Sequence, residues 1–206
     1  MSPRGALFVA PAGKDKAIEG GLAEALPGTV VEIGRKEALT LCPPLVEGWL
    51  ARALYDRAAM DMDVNAIHRG YLKGFKAAGG TLVCDAEVDA LDRAGGTWTV
   101  STRAGKFKAN HIINAAGAWA DRIAGLAGAR PIGIVPKRRT AFVFEVPFTA
   151  AMLAGWAMAV EIDETFYFKP EAGLMLASPA DETPSEPCDA QPEEIEGDHL
   201  VEERLR

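Results

Sequence analysis

Ile112-Ile-Asn-Ala-Ala-Gly-Ala-Trp-Ala-Asp121 is the stretch on which the fold turns. An apolar pair, a turn at Asn114-Ala-Ala-Gly117 and a helix near 118–127 read as a buried strand feeding a helix N-terminus. The small residues Ala115, Ala116 and Gly117 let another body approach the backbone closely. The helix N-terminus behind them favours negative charge, so a diphosphate suits the place. Tight strand-to-helix packing without a ligand explains the same residues, and the local pattern leaves both readings open.

Working outward, Asp63 can cap a helix running to about Ala78, with Val64, Ile67, Tyr71, Leu72 and Phe75 on one face. Gly79-Gly80 ends it, and Thr81–Cys84 reads as a short buried strand. Thr97–Arg103 and Lys106–Ala109 alternate with period two around Ala104-Gly105, which gives a small β-meander. Residues 61–129 thus form an α/β block. Before it come a strand at Ala6–Ala10, a helix over about 14–26 and a strand at Thr29–Ile33. Pro43-Pro44 then opens a helix carrying Leu45, Trp49, Leu50 and Leu54. From Pro131 the pattern is mainly β, with strands at 140–146, 158–162, 165–168 and 174–177, the last two joined by a hairpin at 170–173. A polar, proline-rich loop at 179–192 leads into a final helix beginning near Pro192.

The 206 residues are 49% hydrophobic and 25% charged, which excludes a disordered tail or a fibre. The net charge of −7 is concentrated at the C-terminus, where ten acidic residues from Asp181 onward meet two arginines. The rest of the chain is nearly neutral. No basic stripe suggests nucleic acid; Lys137-Arg138-Arg139 is too short and reads as a solvated strand entrance. Cys42, Cys84 and Cys188 are odd in number and far apart, and His68, His111 and His199 are scattered. Neither a disulfide framework nor a metal site is expected, and the cytoplasm is the default compartment. No segment approaches the length of a transmembrane span, and no signal peptide is evident. The sequence also lacks G-x-G-x-x-G, the G-x-x-x-x-G-K-[ST] phosphate loop and a G-x-S-x-G elbow.

Four segments in order resemble the D-amino-acid oxidase-like (DAO) family of FAD-dependent oxidoreductases, which includes glycine and sarcosine oxidases and D-amino acid dehydrogenases. Met62–Tyr71 is similar to the helix leading into that family's second FAD segment. Gly80–Val88 resembles the strand and bend where a backbone valine contacts adenine, and Asn114–Ala120 resembles the A-A-G-x-W element beside the flavin. Phe166-Tyr-Phe-Lys-Pro170 resembles the substrate-domain strand bearing an active-site tyrosine. The chain departs from the family in lacking its N-terminal dinucleotide fingerprint and its C-terminal arginine-bearing segment, so it looks like an internal portion of a longer enzyme.

The resemblance implies a partial FAD-binding (glutathione-reductase-like) domain at 61–129. A mixed, largely antiparallel sheet with helices, the substrate domain, would be built from 1–60 and 130–206. The fold class is then α+β with an α/β part. FAD would be the cofactor of the complete enzyme, bound weakly or not at all by these residues alone. Val88, Ala115, Ala116, Gly117, Ala118 and Trp119 would contact it, while Tyr167 and Lys169 would meet the substrate; no catalytic residue is assigned. The expected reaction is oxidation of an amine or amino acid to an imine, and the partner is that small molecule. The alternative is a folded remnant or assembly module without FAD. Exposed sheet edges leave a route to homo-oligomers.

Overall fold

The computed structural model describes residues 1–191. The helix expected from Pro192 onward lies outside the described residues. In chain order the first elements are β1 (Ser2–Pro3), β2 (Ala6–Ala10), α1 (Asp15–Glu24), β3 (Val30–Ile33), α2 (Arg35–Leu41), β4 (Arg52–Asp56) and β5 (Met60–Asp61). Then follow α3 (Val64–Ala77), β6 (Val88–Ala94), β7 (Thr97–Thr102), β8 (Gly105–Ala109) and α4 (Ala120–Leu126), the last entered through a 3-10 turn at Gly117–Trp119. The remainder comprises β9 (Lys137–Arg138), β10 (Phe142–Phe144), α5 (Ala150–Ala154), β11 (Met158–Glu161), β12 (Tyr167–Glu171), β13 (Leu174–Ser178) and β14 (Thr183–Pro184). Residues 1–63 and 139–182 form one compact unit, and residues 64–138 with 183–191 form another.

Unit 1 is built on a seven-stranded sheet of order β10-β13-β12-β11-β2-β4-β3. Its pairs are antiparallel except β2–β11, which run parallel, as the mixed and largely antiparallel expectation requires. The parallel pair puts the two halves of the unit into one sheet. β2 reads as a continuous apolar run because both its faces are covered. Leu7 and Val9 pack with Ala53, Ala159, Ala38 and Leu50 on one face. On the other, α1 lays Ile18 and Leu22 against Ala10, Leu54 and Phe8. α5, capped by Thr149 Oγ1 accepting from Met152 N–H, brings Leu153 beside Trp156 and Met175. The β12–β13 hairpin turns at Ala172 and Gly173, both at positive φ (50° and 86°), the conformation of a tight two-residue connection. Two polar side chains are buried here, and both are satisfied. Glu161 accepts from Asp163 N–H, Thr165 N–H and Thr165 Oγ1, while Ser178 donates to Thr140 O and accepts from Ala180 N–H.

Unit 2 contains α3, the three-stranded meander β6-β7-β8, α4 and the short β9–β14 pair. A register shift between Val88 and Ala90 marks a bulge at the start of β6.

Several expectations are corrected. No helix follows Pro43-Pro44; α2 precedes that pair, residues 43–50 are turns and bends, and Leu54 lies in β4. The spacing of Trp49, Leu50 and Leu54 mimicked a helical stripe because three- and four-residue spacings also arise where a loop enters a strand. Thr81–Cys84 and Ile112–Ile113 have strand-like composition but join no ladder among the described residues, and Leu82, Val83 and Ile113 are exposed. α3 forms as expected, yet its stripe is not buried: Ile67, Tyr71 and Phe75 are all exposed. α5 interrupts a segment that reads as mainly β, and the strand expected at 140–146 contracts to Phe142–Phe144.

Candidate functional site

In unit 2 the loop before α4 is shaped by Asn114. Its side-chain amide donates to Ala120 O at 2.8 Å, and its Oδ1 accepts from Ala116 N–H at 3.3 Å. This Asx-type turn delivers the chain to Gly117 at φ +54°. A Cβ placed on Gly117 would meet nothing within 4 Å, so the space above the loop is open. Ala115 and Gly117 are exposed; Ala116, Ala118 and Trp119 are half-buried. An exposed backbone lined by methyl groups and a left-handed glycine can take a flat or anionic group at close range.

Val88 is half-buried at the head of β6, opposite Thr102. Its neighbour Glu87 joins this strand to α4: the carboxylate meets Arg122 at 3.2 Å and Arg103 at 2.5 Å. The sequence-derived cofactor residues thus lie on two elements tied by one carboxylate. Asp121, also in α4, accepts N–H bonds from Ile132, Gly133 and Ile134, each at 2.9 Å. The Ile132 N–H bond, reinforced by the other two against desolvation, holds its carboxyl below the usual range. Sequence reasoning missed both carboxylates, because their partners lie 11 to 35 residues away.

In unit 1, Tyr167 opens β12 opposite Val160 and Ser178. Alternation puts Tyr167, Lys169 and Glu171 on one face, while Phe168 turns to the other and packs against the core. Phe166 stacks on Phe168 and lies 5.8 Å from Trp49. Lys169 Nζ sits 3.0 Å from Asp61 Oδ1 and 2.7 Å from Glu171 Oε2, and Arg4 Nε meets Asp61 Oδ2 at 2.7 Å. Burial opposes charging of Asp61, but Arg4 and Lys169 outweigh it and hold the carboxyl below its ordinary value. Burial likewise opposes charging of Lys169, and Glu171 with Asp61 overcomes it, raising the ammonium's pKa.

Among the cations of the Lys137–Arg139 cluster, Arg139 pairs with Glu182 at 2.9 Å, and Lys137 and Arg138 lie in the β9–β14 pair. Cys42 is buried, and desolvation pushes its thiol up to about 12, which keeps it protonated and inert. No helix among the described residues is long and apolar enough to cross a membrane.

Residues 1–204 match the family model for FAD-dependent oxidoreductases, DAO. The chain belongs to the DAO family of FAD-dependent oxidoreductases. Mitochondrial dimethylglycine dehydrogenase of Mus musculus is 26% identical over 140 residues, covering 68% of this chain and 16% of that protein. The fold is shared with L-proline dehydrogenase from P. horikoshii (TM-score 0.79, 20% identity, 99% of this chain and 55% of that one). It is shared too with iminodiacetate oxidase from Chelativorans sp. BNC1 (TM-score 0.76, 24% identity, 99% of this chain and 55% of that one). The chain therefore spans about half the length of these solved relatives. The open, small-residue loop at Ala115–Trp119 is compatible with the cofactor of the DAO family.

Proposed function

We propose that the chain is the portion of an FAD-dependent amine or amino acid oxidoreductase that carries the substrate strand and part of the cofactor site. The observation that carries this reading is the placement of Tyr167. It is a half-buried phenol on the sheet face opposite the aromatic core, in the strand that resembles the family's tyrosine-bearing one. Unit 2 would hold FAD at Val88 and at Ala115, Ala116, Gly117, Ala118 and Trp119, and unit 1 would hold the substrate. FAD, held by these residues, would supply the redox chemistry for oxidising an amine to an imine.

The protein's own task is orientation. The Tyr167 hydroxyl donates a hydrogen bond to the substrate carboxylate, and its backbone is held in the sheet by β11 and β13 on either side. Lys169 has a smaller part, because Asp61 and Glu171 already neutralise its ammonium. Asn114 positions the cofactor loop through its two backbone hydrogen bonds. Mitochondrial dimethylglycine dehydrogenase and iminodiacetate oxidase, both named for amine substrates, support the substrate class. Three free cysteines support a reducing, cytoplasmic setting, and the edges of β3 and β10, unpaired among the described residues, support self-association.

The test is anaerobic mixing of the FAD-loaded, full-length protein with a panel of small amines and amino acids, following loss of the visible flavin band. At least one amine should bleach it. Tyr167→Phe, which deletes a hydrogen bond to a charged group worth roughly 1.5–3 kcal/mol, should lower kcat/KM about ten- to a hundredfold. Bleaching by none of the amines contradicts the substrate class; a change below about threefold removes Tyr167 from the site.

A further inference from the structure

We propose that the groove between α1 and the sheet of unit 1 is a binding site for a short-chain aliphatic ammonium ion, separate from the Tyr167 position. The groove has a volume of about 530 Å³, room for a small organic molecule. Its floor is apolar: Phe8 of β2, Leu54 of β4 and Ile162 just after β11. Its rim is acidic: Glu24 at the end of α1, Asp56 at the end of β4 and Glu164 in the turn before β12. No basic side chain lines it. Among the described residues neither the Glu24 nor the Glu164 carboxylate has a hydrogen-bond or salt-bridge partner, and Asp56 accepts only the Ala58 N–H.

Two glycines in the middle of α1 shape the groove. A Cβ on Gly21 would stand 3.2 Å from Leu54 Cδ1, so the missing side chain there lets the helix settle onto β4. A Cβ on Gly20 would meet nothing within 4 Å, and that position lines the opening itself. Both glycines disfavour the helix relative to alanine. An apolar floor and three lining carboxylates with no basic residue beside them match a ligand with a hydrocarbon body and a positive head. The neighbouring cations are committed elsewhere, Lys14 to Asp163 and Arg52 to Glu32 and Asp15. On the same sheet face the floor lies two strands from Tyr167, along the row Tyr167, Val160, Phe8, Leu54. The site stands on the groove alone and needs no flavin.

Calorimetric titration of the 206-residue chain with n-hexylammonium, and in parallel with 1-hexanol, tests it. The ammonium should bind saturably with a Kd of about 1 mM or tighter, and the alcohol about tenfold more weakly. Glu24→Gln with Glu164→Gln, both exposed positions, should weaken the ammonium roughly fivefold. Gly20→Leu should fill the opening and abolish binding while leaving the melting temperature unchanged or higher, since leucine favours the helix. The proposal is overturned if ammonium and alcohol bind equally, if the ammonium does not saturate, or if Gly20→Leu binds as the parent does.

Discussion

Both units carry periodic hydrophobic patterns, and they bury them to very different degrees. Every buried side chain among the described residues belongs to unit 1, where Leu7, Val9, Ile18 and Leu50 have no exposure at all. Unit 2 has only half-buried and exposed ones, and Tyr71 in the stripe of α3 is 78% exposed. Periodicity therefore records that a face is apolar, not what covers it. Unit 1 closes on itself because β2 and β11 bring distant segments into one sheet with helices on both sides. Unit 2 is held by local ladders and by carboxylates such as Asp121 and Glu87.

That contrast can be broken most sharply by paired truncations. Leu54→Ala removes a side chain 1% exposed in the centre of unit 1 and should cost about 2–5 kcal/mol. Tyr71→Ala on α3 should change stability by less than about 0.5 kcal/mol. Denaturant unfolding of both variants decides it, and a comparable loss in each would mean that the stripe of α3 is packed in solution.

A smaller effect is expected at the ion-pair chain of unit 1. Asp61→Asn strips a partly buried carboxylate from Arg4 and Lys169 and should cost about 1–2 kcal/mol at neutral pH. The folded-state pKa of Asp61 is depressed, so its contribution is fully present above the ordinary value of 3.8 and lost as pH falls through the lower, folded one. The gap between parent and Asp61→Asn should therefore be flat from neutral pH down to about 4 and close below that. A gap that widens on acidification would reverse the sign.

The mildest change lies in unit 2. Asp121→Asn should release the amides of Ile132, Gly133 and Ile134, speeding their hydrogen exchange while leaving those of β2 and β4 unaltered. Unchanged exchange at all three amides would show that the loop holds itself.

The legibility of the sequence followed the same division. β2 could be read because a strand covered on both faces is apolar throughout, and Tyr167 because alternation against Phe166 and Phe168 fixes its face. β4 was hidden: Arg52 and Asp56 at its ends look like surface residues, while Leu50 and Leu54 share a helical spacing. α2 was hidden by being seven residues long, too short to show a period. Thr81–Cys84 and Ile112–Ile113 have the composition of strands, but a ladder needs a neighbour, and local composition cannot supply one. The link from Lys169 to Asp61 spans 108 residues and leaves no trace in any window of sequence. Of the candidate site, the Asn114–Trp119 loop was legible by resemblance and by its glycine; the carboxylates that brace it were not.

The proposed division of labour between the units is tested most directly by the flavin-to-protein ratio of two variants of the full-length protein. Gly117→Val puts a branched side chain at φ +54° in the open space of the unit 2 loop, where strain and bulk both oppose a close-lying cofactor. Tyr167→Phe keeps its ring in β12 of unit 1 and removes only the hydroxyl. The expected result is a ratio near that of the parent for Tyr167→Phe and a strongly reduced one for Gly117→Val, with both proteins folded. Equal flavin content in the two variants would contradict the assignment of the cofactor to the loop at Ala115–Trp119.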